Sequence, residues 1–287
     1  MKYAFIKQHR GRFKVRRMCR ALGVSHSGYY AFVRRPPSVR ALRDQALLPR
    51  IKTSFIDSRH TYGARRVRLD LVEQGECIGR HTVGRLMRHL ALEPKTVRRF
   101  RVTMDSRKTI AAPNRLAQQF EAQRPDQRWV SDITFIPTRA GWLYLSVFID
   151  LYSRAVVGWS MNKRMTRRLV IDGLQMALAQ RQPRNLELIH SDQRSQYTCA
   201  EYLALLEECS AKPSMSRKGC CWDNAVAESF FHTLKNELIH GEDYRTREQA
   251  RSSIFEYIEP FYNRKRRHTA ANGQSPMNYE RNYQSNP

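Results

Sequence analysis

The sequence predicts an α/β protein, a mixed five-stranded sheet with flanking helices, preceded by small all-α helix-turn-helix modules. Three observations predict it. Helical pairs occupy 14–34 and 61–93, strand-like runs rich in β-branched and aromatic residues begin at Trp129, and beyond that point the order is β-β-β-α-β-α-β-α. At 287 residues with 41% hydrophobic side chains, the chain can bury one sizeable core and one or two small modules.

In the first pair, KVRRMCRAL-GVS-HSGYYAFVRR, Val15, Met18, Cys19 and Leu22 recur at helical spacing. Gly23 is placed to end one helix and Ser25 to cap the next, and Pro36-Pro37 then breaks the chain. In the second pair Val67 and Leu71, then Val83, Leu86, Met87 and Leu90 after Gly75, form the apolar stripe. Arg80, Arg85 and Arg88 project from its second helix, which in this architecture can enter a major groove. A helical hairpin with a solvated basic face is the competing reading. Prolines 94, 113 and 125 punctuate a linker. WVSDITFIPT (129–138), WLYLSVFIDLY (142–152) and AVVGWSM (155–161) read as an antiparallel meander. Helix 167–180, strand 186–190, helix 198–208, a short strand at 213–215 and a long helix from 225 to 238 complete the sheet and its cover.

Charge points to an anionic partner. The formal net charge is +25, and residues 1–110 hold 27 Lys and Arg against 7 Asp and Glu, leaving 24 and 19 for the rest. A basic front joined to a nearly balanced back suggests a nucleic-acid-binding region feeding a catalytic domain, with a ribosome-associated basic protein as the alternative. No apolar run approaches the length of a membrane span, and Met1–Arg20 lacks the apolar stretch of a secretory signal. The six cysteines form no C-x-x-C pair, which fits reduced thiols in a cytosolic protein better than a zinc site or a disulfide framework.

Three acids stand out by position. Asp132 lies mid-strand with Val130, Thr134 and Ile136 on its face, opposite Trp129, Ile133 and Phe135. Asp192 follows the carboxyl end of LELIH, and Glu228 lies near the start of the long helix, with Asp223 or Asn224 as its cap. Each alone could be a salt bridge or a cap. Together they suit phosphoryl transfer on DNA, where two divalent ions held by carboxylates activate the attacking oxygen and stabilise the leaving one. Asp150 reads as a structural partner of a base such as Arg154, and His190 as structural.

Fifty-nine residues separate Asp132 from Asp192, and 35 separate Asp192 from Glu228. With W-V-S-D-I-T-F-I, H-S-D-Q-R-S-Q-Y-T and D-N-A-V-A-E-S-F-F-H-T-L-K around them, the chain resembles a DDE insertion-sequence transposase, of the superfamily shared with retroviral integrases. YIEPFYNRKRRHTAANGQSP, YGARRV and MCRALGVS extend the likeness over nearly the whole chain. The resemblance implies an RNase H-like core in which Asp132, Asp192 and Glu228 are catalytic and bind Mg²⁺ or Mn²⁺, two ions per site. It also implies water attack at the element's end followed by 3′-hydroxyl attack on another strand. Lys235, seven positions after the glutamate, is the family's basic residue and lies about 10.5 Å further along the helix on the same face.

The domains implied are an N-terminal helical segment (1–40), a helix-turn-helix-like DNA-binding region (41–93), a linker (94–124) and the catalytic core with a basic C-terminal extension (125–287). DNA contacts are expected from Lys235, Asn224, Arg80, Arg85, Arg88, Arg217, Lys218, Trp222, Arg264 and Arg266. The partners implied are the element's terminal inverted repeats and target DNA, further copies of the chain on DNA, and an upstream-frame fusion partner, since this chain resembles the downstream product of a two-frame element. The pattern is broken at Arg194, where the family usually has glycine. A transposase-derived DNA-binding regulator with impaired catalysis is therefore the alternative reading.

Overall fold

The computed structural model describes residues 1–95, 112–217 and 220–285. The chain divides into two compact units, Met1–Thr53 and Ser54–Pro287, the division falling within helix α4 (Val39–Asp57). In the first unit, α1 (Lys2–His9), α2 (Val15–Ala21) and α3 (His26–Arg34) bury Ile6, Met18, Cys19 and Tyr29 together. Gly23, at φ +60°, follows α2, and Ser25 Oγ accepts the Gly28 N–H at 3.2 Å, as the sequence predicts.

The second unit opens with α5 (Ala64–Glu73) and α6 (Arg80–His89), whose facing residues Val67, Leu71, Val83, Leu86 and Met87 are buried. Gly75, at φ +88°, terminates α5, and the following N–H, that of Glu76, reaches back to Leu71 O.

Five strands form one sheet: β1 (Arg128–Ile136), β2 (Leu143–Asp150), β3 (Val156–Asn162), β4 (Leu188–Ser191) and β5 (Lys212–Met215), in the order β3-β2-β1-β4-β5. The first three pair antiparallel, and β4 and β5 add in parallel beside β1. This is the RNase H-like arrangement. Strand parity sorts β1 as its sequence predicts. Trp129 and Ile133 pack under α7 (Arg167–Arg181) and α8 (Ala200–Glu208), and Val130 and Ile136 pack on the opposite face under α9 (Ala225–Glu237). Helix α7 lies very close to β3, because a Cβ on Gly158 would stand 2.5 Å from Gly173 O and from Ala177 Cβ.

The C-terminal region proves to be a helical layer. Helix α10 (Arg247–Glu256) starts in a Thr246–Gln249 capping box and continues through a π-helical stretch, Tyr257–Asn263, before α11 (Pro276–Ser285). Ile254, Tyr257, Ile258, Phe261 and Tyr262 are buried in the same cluster as Val130 and α9's Phe230 and Leu234. Asn263 doubles as a strand partner: its side chain accepts from Val156 N at 3.0 Å and donates to Val156 O at 2.9 Å. Of the linker expected over 94–124, residues 94–95 and 112–124 are described. There Leu116 is fully buried on the sheet domain, and both Arg115 N and Leu116 N donate to Ser214 Oγ.

Two acids organise this layer, one partly buried and one fully buried. Glu237, at the end of α9, accepts from Arg266 Nε (2.8 Å), Arg266 Nη2 (2.7 Å) and the Tyr257 hydroxyl (2.7 Å). Replacing Glu237 with Gln leaves the nearly inaccessible Arg266 charge uncompensated. We expect a loss of about 3–5 kcal/mol, read as a lower urea midpoint at unchanged m-value.

Asp150 is fully buried, and it does not pair with the Arg154 side chain as its sequence position suggested. It accepts instead from Asp126 N (3.0 Å), Ser153 N (2.9 Å) and Ser153 Oγ (2.9 Å), so it closes a turn. The Ser153 hydroxyl also lies 2.6 Å from Glu280 Oε1, which gives one hydroxyl proton to two carboxylates. Burial pushes the Asp150 carboxyl up to about 7, with the charge of Glu280 adding to it. A folded-state value above the unfolded one means that the stability it contributes is complete below about pH 4 and is lost as pH rises through about 7. Between pH 5 and 8 the stability difference between the wild type and Asp150→Asn should shrink by about 2–3 kcal/mol. A difference independent of pH would contradict this.

Candidate active site

Three elements bring the acids together. Asp132 projects from the middle of β1 on the α9 side, Asp192 follows the last residue of β4, and Glu228 sits in the first turn of α9. The parallel pairing of β1 with β4 sets the first two side by side. The Asp132 carboxyl is raised well above the ordinary range, first by burial and then by the neighbouring charge of Asp192, with Glu228 adding a smaller push. Burial also raises Asp192 and Glu228. Carboxylates in this state call for a compensating cation.

In this structure Arg194 supplies that cation. Its Nη1 lies 3.1 Å from Asp132 Oδ1 and 2.8 Å from Ile133 O, while its Nε lies 3.1 Å from Asp192 Oδ2. Its own N–H donates to Asp192 Oδ1 at 3.1 Å, so one residue engages both aspartates. Among the described residues no group of three His, Cys, Asp or Glu forms a ready metal cage. The chemistry of the donors nevertheless suits a hard divalent ion, since they are carboxylates and Asp132 feels the negative charge of both Asp192 and Glu228. The sequence identified the Arg194 departure but not the bridge it forms, because β1 and the β4 end lie some sixty residues apart.

The neighbours of this patch hold it in place. The Asn224 side chain does not cap α9. Its Nδ2 donates to Ser131 O at 3.1 Å, tying the helix start to β1 beside Asp132, and its buried Oδ1 lacks a hydrogen-bond partner among the described residues. The buried Tyr197 hydroxyl meets Ser131 Oγ at 2.9 Å from the opposite side of β1. His190 bonds Ser214 Oγ (2.8 Å) and Ser216 Oγ (3.1 Å), and burial lowers it to about 4, so it is a neutral structural link between β4 and β5. Lys235 lies on the same side of α9 as Glu228, its Nζ 5.0 Å from the Phe135 ring centroid, and burial lowers its pKa while Asp132 opposes that shift.

Asp223 also does not cap α9. It is fully buried and holds the preceding loop through Asn114 Nδ2 (2.9 Å), Gln118 Nε2 (2.9 Å), Arg217 N (2.9 Å) and the Arg217 guanidinium (3.1 Å). Arg217 holds its carboxyl far below the ordinary range. The partners from residues 114 and 118 lie about a hundred positions away, which no local pattern reveals. Trp222 stands out from this loop with 71% of its surface exposed, and Lys218 lies outside the described residues. Arg80 and Arg88 are exposed on α6 and Arg85 is half-buried there. Arg264 is exposed, whereas Arg266 is turned inward onto Glu237.

The sheet and its helix layers have the architecture of an integrase-type core, preceded by a helix-turn-helix-like module. Residues 122–221 and 228–283 match two models of the integrase core domain, and residues 42–100 match an HTH-like domain. The chain is 44% identical over 284 residues, 98% of each chain, to the transposase InsF for insertion sequence IS3A of Escherichia coli K12. It is 43% identical to a 31 kDa protein of insertion element IS600 from Shigella sonnei, covering 93% of this chain and 98% of that one. Among solved structures it is similar to the HTLV-2 integrase catalytic core domain in complex with magnesium, at TM-score 0.43 and 16% identity over 56% of this chain and 99% of that one. The chain belongs to the family of the IS3 InsF transposases, polynucleotidyl transferases with an integrase core domain. Relatives named as transposases favour that activity over a non-catalytic regulator. Among the described residues Cys19, Cys77, Cys199, Cys209 and Cys220 are in no disulfide, and no helix is long and apolar enough to cross a membrane.

Proposed function

We propose that this transposase cleaves phosphodiester bonds at insertion-sequence ends and joins the freed 3′-hydroxyl to target DNA, with Asp132, Asp192 and Glu228 as ligands of Mg²⁺ or Mn²⁺, two ions per site. In the first step a P–O bond at the element end is hydrolysed. In the second the 3′-oxygen forms a new P–O bond with the target strand while the bond to the target's own 3′-oxygen breaks. The observation that supports the metal reading is that Asp132 and Asp192 share one cation, Arg194, while Asp132 also feels the charge of Glu228. Divalent ions bound there would polarise the phosphodiester under attack.

The chain's own residues do the rest. The rigid β1 fixes Asp132, and the β4 end fixes Asp192 against it. Asn224 and Ser131 anchor the start of α9 so that Glu228 reaches the same patch. Lys235 offers its charge to a DNA phosphate along the helix, and Arg217, Lys218 and Trp222 offer charge and a stacking face to a distorted DNA end. Arg80, Arg85 and Arg88 would track the element end from α6, and Arg264 would contact phosphate. Arg194 has to withdraw from the aspartates before they can take metal, and it then becomes free to meet DNA.

We assign residues 1–40 and 41–93 to end recognition, 94–124 to a linker and 125–287 to catalysis. Further copies of the chain and an upstream-frame fusion partner would complete the assembly on DNA, in the bacterial cytosol at the nucleoid. The test is strand joining on labelled element-end duplex, with and without the fused upstream frame. Absence of joined product in both formats, from protein that still binds the duplex, would reject the assignment.

A further inference from the structure

A second cluster of positive charge lies on the other flank of α9. Arg66, Arg154 and Arg266 line a cleft of about 350 Å³ together with His268, Ser229 and Thr233. Glu237 accounts for two of the three arginines, through its close pair with Arg266 and a 3.9 Å approach to Arg66. Arg154 is different. Its Nη2 donates to Phe120 O at 2.9 Å, but its Nη1 is shielded from solvent and has no hydrogen-bond partner among the described residues. The acids Asp150 and Glu121 act on it from a distance, and Asp150 is itself inclined to hold a proton.

Three guanidinium groups against one carboxylate leave this cleft with about two uncompensated positive charges. A guanidinium nitrogen that is shielded from water and lacks a partner is costly, and proteins meet that cost with a counter-ion or a ligand anion. His268 adds to the case. It sits 3.2 Å from Arg266 Nη1, and burial together with the three arginines holds it well below its ordinary pKa, so it is neutral and offers a ring nitrogen without further charge. Ser229 and Thr233, one turn apart on α9, supply hydroxyl donors. A tetrahedral oxyanion uses such a set: forked donors from Arg, and hydroxyls for the remaining oxygens.

We propose that this cleft binds a phosphate group, contacted by Arg154, Arg66 and Arg266 and by the hydroxyls of Ser229 and Thr233. Ser229 directly follows Glu228 in α9, so a DNA strand engaged at the carboxylates would present a flanking backbone phosphate here. That placement rests on the proposed function, whereas the phosphate site itself does not. A free phosphate compound is the other source of the same chemistry.

The experiment uses the full chain in chelator, so that it is independent of any metal-dependent reaction. Inorganic phosphate at 10 mM, compared with chloride at equal ionic strength, should raise the wild-type melting midpoint by about 2–4 °C. The response should vanish in Arg154→Gln and in Thr233→Glu, the second of which places a carboxylate where the anion would sit and should itself raise the midpoint without phosphate. If either variant fails to fold, the other still decides. For the source, duplex binding is followed against salt: a fall of about one in the log–log slope for the variants assigns the site to a DNA phosphate, and an unchanged slope assigns it to a free phosphate compound. A wild type that responds to phosphate no more than to chloride, or folded variants that keep the response, would overturn the site.

Discussion

Asp132→Asn is expected to reduce strand joining by about a thousandfold or more while leaving the fold intact. The amide keeps the geometry of the carboxylate. Its Oδ1 can still accept from Ile133 N, now at 2.7 Å, and from Arg194 Nη1, now at 3.1 Å. It loses the negative charge that a divalent ion needs, and charge at a two-ion centre is worth several kcal/mol in the transition state. Because Asp132 is the most strongly destabilised of the three charges, its neutralisation should leave the melting midpoint of the metal-free protein unchanged or slightly higher. Joining and stability therefore move independently. A variant that loses both in proportion would show that Asp132 matters for folding rather than for chemistry.

Arg194→Gly is the second large effect, and it runs in the opposite direction. In the structure the guanidinium lies between Asp132 and Asp192, so an incoming ion has to compete with a cation tethered to the same loop. Arg194 is about two-fifths exposed, which keeps the cost of its release modest. Removing it should tighten magnesium binding about tenfold, corresponding to about 1.4 kcal/mol, and should raise joining at limiting magnesium. Without metal the same variant leaves two adjacent carboxylates unneutralised and should melt lower than the wild type. Saturating magnesium should restore its midpoint, because an ion that binds only the folded state stabilises it by mass action. Calorimetric titration with magnesium reads the affinity directly. Equal affinities in the two proteins would mean that Arg194 does not compete with the ion.

Much of this centre is legible in the sequence, for reasons that are local. Alternation along WVSDITFI puts Asp132 on the face with Val130 and Ile136, and the sheet keeps that parity. The run LELIH followed by S-D places Asp192 at a strand end because a short buried strand must stop where polar residues begin. Gly23 and Ser25 fix a helix–helix turn through backbone conformation and capping, which need only their immediate neighbours. What the sequence does not disclose depends on partners far along the chain. Asp223 and Asn224 look like helix caps, yet one is claimed by Asn114, Gln118 and Arg217 and the other by Ser131 O. Arg266 belongs to a basic run that reads as a DNA phosphate contact, but Glu237 draws it into the interior. The π-helical stretch that buries Tyr257, Phe261 and Tyr262 owes its place to the face of the sheet it covers.

The most direct test of the metal-dependent DDE assignment is a joining assay on labelled element-end duplex. The wild type and Glu228→Gln are compared in magnesium and in chelator. Glu228 is the ligand of choice because the Arg194 bridge joins Asp132 and Asp192, and substituting Glu228 leaves both of those carboxylates in place. Joined product is expected only from the wild type with magnesium, with Glu228→Gln folded, DNA-bound and inactive. Joined product that persists in chelator, or that Glu228→Gln forms at the wild-type rate, would contradict it.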